Sequence, residues 1–547
     1  MEALPLPELC SAFPPLHRVE RARVSADEVA VLTALRPDQG WPRRWAWLPV
    51  CELADGTLQR IEGQVLLQPF EIPPLSEPGD ALRARLPAAA FPPERDAQGR
   101  RCGLLCLLVY ADLRGQRREG EPGARTLEEA LQAALALGPL ALRHGFTPLP
   151  PLDEAAARPG EALSFVLAAC QYPPQMLDSS PGAEQDPAQA GPGQAALARL
   201  LAFTRGTPAG AEASLLLLAG DQIYADASGG LADAGNSVDR YARPYQQFKA
   251  GLPRHLPPSL ARIVHAPDDH EIRDNWEPLA RPALPGGVDR GPLLDSALAA
   301  AWAARWEAGE REGVLEHFWH RFDWRGAAFF IGDARSEREP RHAARLQEAQ
   351  IMGAGQRRAF EQWLAERAGR ARFVLTGSML LPRRLATCEQ PASALRSDAW
   401  DGYPASLHWL LGALWAARAD DVVFLSGDEH RSGLVSAEIA PADGSAPPLR
   451  LHSIHSSALY APWPFAVTRQ EDLAAPESFT FAGPGGQVLR CTVGAWTDCP
   501  GDGFALLRLA GGRLQLWFDR ARRALHAAPA LPPPDAELLL GPGGAAP

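Results

Sequence analysis

The chain has 547 residues and a formal net charge of −11 at pH 7. Its 46% hydrophobic and 22% charged residues are typical of a globular protein that is long enough for more than one domain. The acidic balance argues against a role for the whole chain in binding long nucleic acids or acidic membranes.

The N-terminal segment lacks the features of an export signal. It has no basic start followed by an apolar stretch and no twin-arginine pair. Nowhere do roughly 18 apolar residues follow one another without interruption, so we expect no membrane span. The eight cysteines are dispersed, as is typical of reduced thiols. These features together predict a cytoplasmic protein.

Residues 1–155 are predicted to form a β-rich accessory domain. Strand-like runs occupy 29–35, 45–53 and 103–113, and a helix is expected from Thr126 to about His144. The sequence of this region shows no cluster of chemically reactive side chains. The proline-rich stretch 147–160 is predicted to be a linker to the next domain.

Residues 160–526 are predicted to form a second, α/β domain. Five apolar runs, continuous rather than alternating, are typical of strands covered on both faces: 164–172, 214–224, 327–335, 372–378 and 421–430. Helices are expected at 291–310 and 355–369, a mobile loop at 179–194, and a flexible Pro/Gly-rich tail at 527–547. Ligand sites of α/β domains lie where the strands end.

The first two runs end in residues that can bind metal. Cys170 as a thiolate is a strong anionic ligand, although a buried cysteine is more often a small hydrophobic residue. The second run ends in Gly220, Asp221 and, three residues later, Tyr224. A carboxylate can bridge two ions, and a tyrosinate suits a trivalent ion.

An acidic run follows between the strands, APDDHEIRDNW at 266–276. Pro267 resists helix, so we expect a loop. Asp269 is a candidate metal ligand, and His270 is a candidate donor of a proton to a leaving oxygen. Asp268 either binds metal or orients its neighbours, and a solvated acidic turn is the plain alternative for the whole run.

The later strand ends add two more clusters. Asp333, Arg335 and Arg338 follow one run, and an arginine fork fits phosphoryl oxygens, although surface ion pairs would explain either arginine equally well. Asp428 and His430 follow the last run. The segment HSIHSS at 452–457 is predicted to line a substrate pocket, with core packing as the alternative. The five strand ends together predict a polynuclear metal site.

These motifs carry a family resemblance. The segments concerned are GDQIYAD (220–226), DDHEIRDNW (268–276), GDARSER (332–338), the stretch 353–363, DAWDGYP (398–404) and SGDEH (426–430). In combination they resemble the PhoD-like alkaline phosphatases of the metallophosphoesterase superfamily, which includes the purple acid phosphatases, over roughly residues 160–465. The resemblance implies a two-sheet β sandwich flanked by helices, preceded by the smaller β-rich domain.

The resemblance also implies roles for individual residues. Asp221 would bridge the ions, and Fe(3+) would be held with it by Cys170, Tyr224 and His430. Asp269 and Asp428 would hold one or two divalent ions, Ca2+ first, with Mg2+, Mn2+ or Zn2+ as alternatives, because carboxylate oxygens favour hard cations. His270 would be the proton donor, and Arg335 or Arg338 would contact the phosphoryl oxygens. A visible charge-transfer band from tyrosinate is expected.

The predicted activity is therefore that of a phosphoric ester hydrolase, an alkaline phosphatase or phosphodiesterase. The expected substrate is a small phosphate ester or a phospholipid-type molecule, and nucleic acid is disfavoured by the acidic charge. A non-catalytic protein that binds metal or phosphate and recruits a partner through its N-terminal domain is the alternative. Oligomeric state is not indicated by the sequence.

Overall fold

The fold comes from a computed structural model, which describes part of the chain. The described residues are 19–23, 28–34, 44–53, 58–61, 66–69, 81–87, 96–100, 102–109, 142–148, 162–172, 194–227, 240–241, 243–250, 256–257, 260, 262–280, 288–289, 297, 318–389, 391–461, 469–528 and 530–541. The chain divides into two compact units. The first contains Met1–Asp153, Lys249–Ile263 and Ala303–Val314, and the second contains Glu154–Phe248, Val264–Trp302 and Leu315–Pro547.

The first unit is built from β-strands. They are β1 (Val19–Arg23), β2 (Glu28–Ala34), β3 (Arg44–Glu52), β4 (Leu58–Arg60), β5 (Leu66–Pro69), β6 (Ala81–Pro87), β7 (Cys102–Val109) and β8 (Leu142–Pro148). One sheet has the order β1-β2-β6, and the other has the order β4-β3-β7-β8 with β5 also paired to β3. The predicted runs at 29–35, 45–53 and 103–113 correspond to β2, β3 and β7.

The helix predicted to end near His144 is wrong at its C-terminal end. Residues Leu142–Pro148 form β8, which pairs antiparallel with β7. Leu105 and Leu107 of β7 are fully buried, so tertiary burial along this ladder outweighs local helix propensity. The rest of that predicted helix lies outside the described residues.

Nearly all residues of the remaining strands and of the described helices belong to the second unit. The strands are β9 (Leu163–Gln171), β10 (Ala213–Ala219), β11 (Arg262–Ala266), β12 (Leu279–Ala280), β13 (Val288–Asp289), β14 (His320–Trp324), β15 (Ala327–Ile331), β16 (Arg372–Leu375), β17 (Arg383–Arg384), β18 (Val422–Ser426), β19 (Ser432–Pro441), β20 (Leu449–His455), β21 (Ala458–Tyr460), β22 (Leu473–Ala474), β23 (Glu477–Ala482), β24 (Val488–Val493), β25 (Thr497–Cys499), β26 (Ala505–Ala510), β27 (Arg513–Phe518) and β28 (Ala536–Leu539). The helices are α1 (Ala195–Gly206), α2 (Pro208–Glu212), α3 (Arg243–Ala250), α4 (Ala354–Glu366), α5 (Leu385–Glu389) and α6 (Pro404–Ala416).

Two large sheets form this unit. The seven-stranded sheet has the order β11-β10-β9-β26-β27-β28, with β21 also on β9. The nine-stranded sheet has the order β14-β15-β16-β18-β20-β19-β24-β23, with β25 also on β19. Strands β9 and β10 are parallel, as are β15, β16, β18 and β20. Parallel neighbours end at the same edge, which places their polar C-terminal residues together.

The sheets pack face to face through aromatic side chains. The ring of Phe165 on β9 contacts Phe329 on β15 and Phe373 on β16 edge to face, at centroid distances of 5.8 and 5.2 Å. Every residue of β9, β10, β15, β16 and β18 is buried, which explains their continuous apolar runs. The predicted mixed α/β class with a β-rich first region is confirmed.

Helices α4 and α6 cover the outer face of the nine-stranded sheet. Phe360 and Trp363 of α4 pack on Phe330 of β15 at centroid distances of 5.1 and 5.6 Å. Helix α6 begins with Pro404, which suits a first turn because its missing N–H has no partner there. Among the described helices, none is long and apolar enough to cross a membrane.

The C-terminal region differs from the predicted flexible tail. Residues Ala536–Leu539 form β28, the edge strand paired with β27. The indole N–H of Trp517 donates to the Pro532 carbonyl at 2.7 Å, and the backbone N–H of Phe518 donates to Asp535 at 2.8 Å. These bonds hold the proline-rich segment against the sheet, so its composition alone did not indicate its structure.

The aromatic contact between the sheets predicts a large stability effect. Phe165→Ala should lower the free energy of unfolding by about 3–5 kcal/mol, because it removes a fully buried ring and leaves a cavity. Urea denaturation measures this change. Val488→Ala, at a side chain that is 54% exposed, is the control and should cost less than about 1 kcal/mol. Equal losses in the two variants would contradict this packing.

Candidate metal centre

The strand ends bring the predicted ligands together. Three groups each have ligand atoms within 4.8 Å of one another: Cys170, Asp221 and His430; Asp221, Asp269 and His270; and Asp268, Asp269 and Asp428. Asp221 is shared by the first two groups and Asp269 by the last two. The groups are therefore adjoining, which is the arrangement that a centre with more than one ion requires.

Backbone turns off the strands aim these side chains inward. Four ligand candidates have left-handed backbone conformations: Cys170 (φ 51°), Asp221 (φ 55°), Asp428 (φ 72°) and His430 (φ 49°). This conformation costs about 1–2 kcal/mol for a residue other than glycine. Such conformations cluster at functional sites, where the surrounding structure holds them.

Glycines let the loops approach one another closely. A Cβ atom on Gly220 or on Gly377 would lie 2.4 Å from a side-chain carbon of Asp268. A Cβ on Gly427 would lie 2.3 Å from the Cβ of Ala169. Side chains at these positions would push the strand ends apart.

Glu271 fixes two of the loops. Its carboxylate accepts backbone N–H groups from Asp221 at 3.1 Å, from Gln222 at 2.7 Å and from Asp268 at 2.7 Å. Burial raises the pKa of Glu271 to about 7, against the lowering effect of these hydrogen bonds. One side chain thus ties the turn after β10 to the turn after β11.

Arg335 is fully buried among carboxylates. Its Nε donates to Asp268, and its Nη2 lies 2.6 Å from Asp398 and 3.4 Å from Asp269. Burial would raise the pKa of Asp398, but Arg335 and Arg384 hold it well below its usual range. The predicted phosphoryl-binding arginine is therefore already engaged with the chain's own acids.

Arg338 is also buried and makes contacts within the protein. Its Nε donates to the Ala334 carbonyl at 2.5 Å, its Nη2 donates to Ser378 Oγ at 3.2 Å, and its guanidinium lies 5.1 Å from the ring centre of Tyr403. Asp333 accepts the backbone N–H groups of Arg335 and Ser336 at 2.9 and 2.8 Å. Asp333 therefore shapes the turn that carries the arginines.

His270 is held on one side by a carboxylate and on another by a ring. Its Nδ1 lies 2.8 Å from Asp226 Oδ1, and its ring stacks on Tyr224 with centroids 4.2 Å apart. Burial lowers the pKa of His270, but Asp269, Asp221 and Asp226 together raise it well above its ordinary value. The contact with Asp226 fixes the orientation of the imidazole.

The donor set fits metal ions. Burial first, and then neighbouring charges, raise the pKa values of Cys170, Asp221 and Asp428 well above their ordinary values. Among the described residues, Asp268 Oδ2 and Asp428 Oδ2 are buried without a hydrogen-bond partner. A buried acceptor without a donor costs free energy. Cations bound between these groups would satisfy the oxygens and offset the repulsion.

The segment HSIHSS lies in the core. His455 contacts Ser426 Oγ at 3.1 Å and the Leu381 carbonyl at 3.0 Å, and burial lowers its pKa to about 4. His452 contacts Ser436 Oγ at 2.8 Å. These contacts agree with the alternative of core packing for the two histidines, which lie on an interior strand of the nine-stranded sheet.

Sequence reasoning assigned no role to three acids of the site. Asp226 orients His270, Glu271 ties the loops, and Asp398 pairs with Arg335. All three lie within the sequence motifs that contain the ligand candidates, and this proximity is the feature of the sequence that could have identified them. Their partners are 44, 49 and 63 positions away along the chain, respectively, which the sequence alone does not reveal.

Part of the chain is similar to a known protein family. Residues 204–461 match the family profile described as PhoD-like phosphatase. This part of the chain is a PhoD-like phosphatase domain. The match supports a metal-dependent phosphoesterase.

A solved structure described as "Structure of PhoD" has a TM-score of 0.55 and 14% identity, over 96% of this chain and 90% of that chain. This likeness shows the fold. GAP50 of Plasmodium (TM-score 0.31, 9% identity, 70% and 91% coverage) and a Bacteroides uniformis β-glucuronidase (TM-score 0.24, 10% identity, 92% and 60% coverage) overlap too poorly to carry an argument. No curated protein matches the chain significantly.

The close approach at Gly220 predicts that a single methyl group disrupts the centre. Gly220→Ala should abolish metal uptake because its Cβ would clash with Asp268, and it should also strain a backbone with φ of 87°. Gly444→Ala is the matched control: its φ is 72°, but open space surrounds it. Elemental analysis should show metal lost in the first variant and retained in the second. Retention in both would contradict the described approach of the loops.

Proposed function

We propose that this protein hydrolyses phosphate esters, monoesters or diesters, at the metal centre described above. The observation that carries the proposal is a pair of adjoining ligand groups, one containing Asp221 and the other Asp269, with these two carboxylates also lying together beside His270. A centre of this kind can hold ions on both sides of a transferring phosphoryl group. The family match supports the same chemistry in its coarser form.

The residues divide into two ligand sets. Cys170, Tyr224 and His430, with Asp221, would hold Fe(3+), because thiolate and tyrosinate suit a trivalent ion. Asp269 and Asp428 offer oxygen ligands, which favour Ca2+, with Mg2+, Mn2+ or Zn2+ as alternatives. Asp268 lies beside the second set, but one of its oxygens accepts a hydrogen bond from Arg335. We therefore assign it the role of positioning the set.

When bound, the metal ions would neutralise phosphoryl charge and lower the pKa of an attacking water. The chain's own residues supply the proton for the leaving group. Asp226 holds Nδ1 of His270, and the proton would be donated from Nε2, which lies 3.9 Å from Asp274 Oδ1. The neighbouring carboxylates favour the protonated imidazole at neutral pH, as a general acid requires.

Arg335 and Arg338 are better proposed as positioning residues than as ligands of the substrate. The guanidinium of Arg335 bridges Asp268 and Asp398, and neither arginine is exposed by more than 1%. Arg335 thereby supplies a fixed positive charge beside the acids. This arrangement reduces their mutual repulsion before any metal binds.

The proposed substrates are small phosphate esters or the head groups of phospholipid-type molecules. The net charge of −11 disfavours long polyanions such as nucleic acids. The ratio of monoester to diester turnover will decide between an alkaline phosphatase and a phosphodiesterase.

Loss of the shared ligand tests the proposal directly. Asp221→Asn should reduce turnover of p-nitrophenyl phosphate and bis-p-nitrophenyl phosphate by more than about 100-fold, the upper range for losing even an outer partner of a metal ligand. Asp443→Asn is the control, since Asp443 is an exposed carboxylate that also accepts a backbone N–H, from Ser445 at 3.0 Å. Metal content and the visible spectrum are measured on the same samples.

An inert protein that remains inert after reconstitution with iron and calcium would overturn the proposal. Metal uptake without turnover of either ester would favour the alternative of a non-catalytic binding protein. Hydrolysis that is unchanged in Asp221→Asn would place the activity elsewhere.

The role of His270 predicts a dependence on the leaving group. His270→Asn should reduce kcat for an alkyl phosphate by about 100-fold or more, because a poor leaving group needs a proton. The effect on p-nitrophenyl phosphate should be much smaller, because nitrophenolate departs without one. The control is His342→Asn, at an exposed histidine that accepts the Ala344 N–H. Equal losses for both substrates would contradict proton donation.

A further inference from the structure

Two cysteines of the first unit face each other across a β-ladder. Cys51 on β3 is paired in register with Cys102 on β7, and their sulfur atoms are 3.4 Å apart. Both side chains are buried, with exposures of 3% and 0%. Neither residue belongs to the metal centre or to any motif that the proposed function uses.

We propose that Cys51 and Cys102 form a redox-active pair that is reversibly converted to an intrachain disulfide. Directly opposed residues of antiparallel strands have Cα atoms about 4.5–5.5 Å apart, within the range of about 4.4–6.8 Å that a disulfide needs. The sulfur atoms are already in contact, so bond formation requires a change of side-chain torsion rather than movement of the strands.

The position of the pair in the ladder gives an oxidant access. Cys51 is the next-to-last residue of β3, and Cys102 is the first residue of β7. Ladder ends open locally at low free-energy cost, even where the native state buries the side chains. The reaction therefore proceeds through fraying of this end, without unfolding of the sheet.

The acid beside the pair is committed to other partners. Asp96 Oδ2 lies 3.6 Å from Cys51 Sγ, but it also accepts Nε of Arg100 at 2.6 Å. Asp96 Oδ1 accepts the backbone N–H groups of Gln98 and Arg100, each at 2.9 Å. The positive guanidinium of Arg100 on the Asp96 carboxylate disfavours binding of a divalent cation there. The group also offers three ligand atoms, from Cys51, Asp96 and Cys102, whereas structural zinc takes four. The geometry therefore favours a disulfide over a metal site.

The resting state is the dithiol. Burial and the neighbouring Cys102 thiol raise the pKa of Cys51 to about 12, so Cys51 keeps its proton at neutral pH in the closed ladder. When the strand ends open, the sulfur of Cys51 is exposed to water, and burial no longer raises its pKa. Oxidation is accordingly slow and depends on local opening.

The oxidant is a low-molecular-weight disulfide, RSSR. One cysteine loses its proton, and its thiolate attacks RSSR to form a mixed disulfide and release RSH. The second cysteine then loses its proton and attacks the first sulfur, which releases a second RSH and closes the Cys51–Cys102 bond. Two thiols of the protein are oxidised by two electrons, and RSSR is reduced by two electrons.

The test uses the full-length protein with oxidised glutathione under native conditions. Peptide mapping without reductant should show a Cys51–Cys102 crosslink that dithiothreitol reverses. Closing a link between positions 51 residues apart should also raise the melting temperature of the first unit by at least about 4 °C. Cys102→Ser should abolish both effects, whereas Cys388→Ser, at a partly exposed thiol, should leave both unchanged.

Peptide mapping of the wild-type protein tests the proposal even if Cys102→Ser folds poorly. Free thiols at both positions, in a sample where Cys388 has reacted with glutathione, would overturn the proposal. Stable mixed disulfides without a crosslink would overturn it as well. So would metal analysis showing one equivalent of zinc in the wild-type protein that is absent from Cys51→Ser.

Discussion

Burial of several carboxylates at one edge of the second unit is the constraint on which the rest of the site depends. Charges removed from water cost free energy unless opposite charges compensate them. Arg335 compensates Asp268 and Asp398 within the chain. Protonated His270 partly compensates Asp221, but burial and the neighbouring acids still raise the pKa values of Asp221 and Asp428 well above the usual range. This excess of buried negative charge makes the edge a candidate metal centre.

The backbone around this edge holds the buried acidic side chains close together. Left-handed turns at Cys170 and Asp221 direct side chains inward at a cost that the two packed sheets offset. Gly220 and Gly377 let Asp268 approach two neighbouring turns. Glu271 locks the loops through backbone N–H groups. Fold stability and site geometry are thus coupled, since the same strands supply both.

Much of this arrangement could be predicted from the sequence because it is local. Continuous apolar runs indicated the buried strands, and a polar residue such as Asp221 after each run indicated the edge where ligands meet. Pairings across long sequence distances could not be predicted. Arg335 was expected to contact substrate, but it contacts acids 67 and 63 positions away. The C-terminal segment had the composition of a flexible tail, yet Ala536–Leu539 completes a sheet edge.

Anomalous X-ray diffraction from crystals of the purified protein would locate metal ions at this edge. Data collected at the iron edge should show a peak between Cys170, Asp221 and His430, and a second cation should lie between Asp269 and Asp428. Metal located elsewhere in the protein, or a correctly folded edge that binds no cation at saturating iron and calcium, would contradict the account.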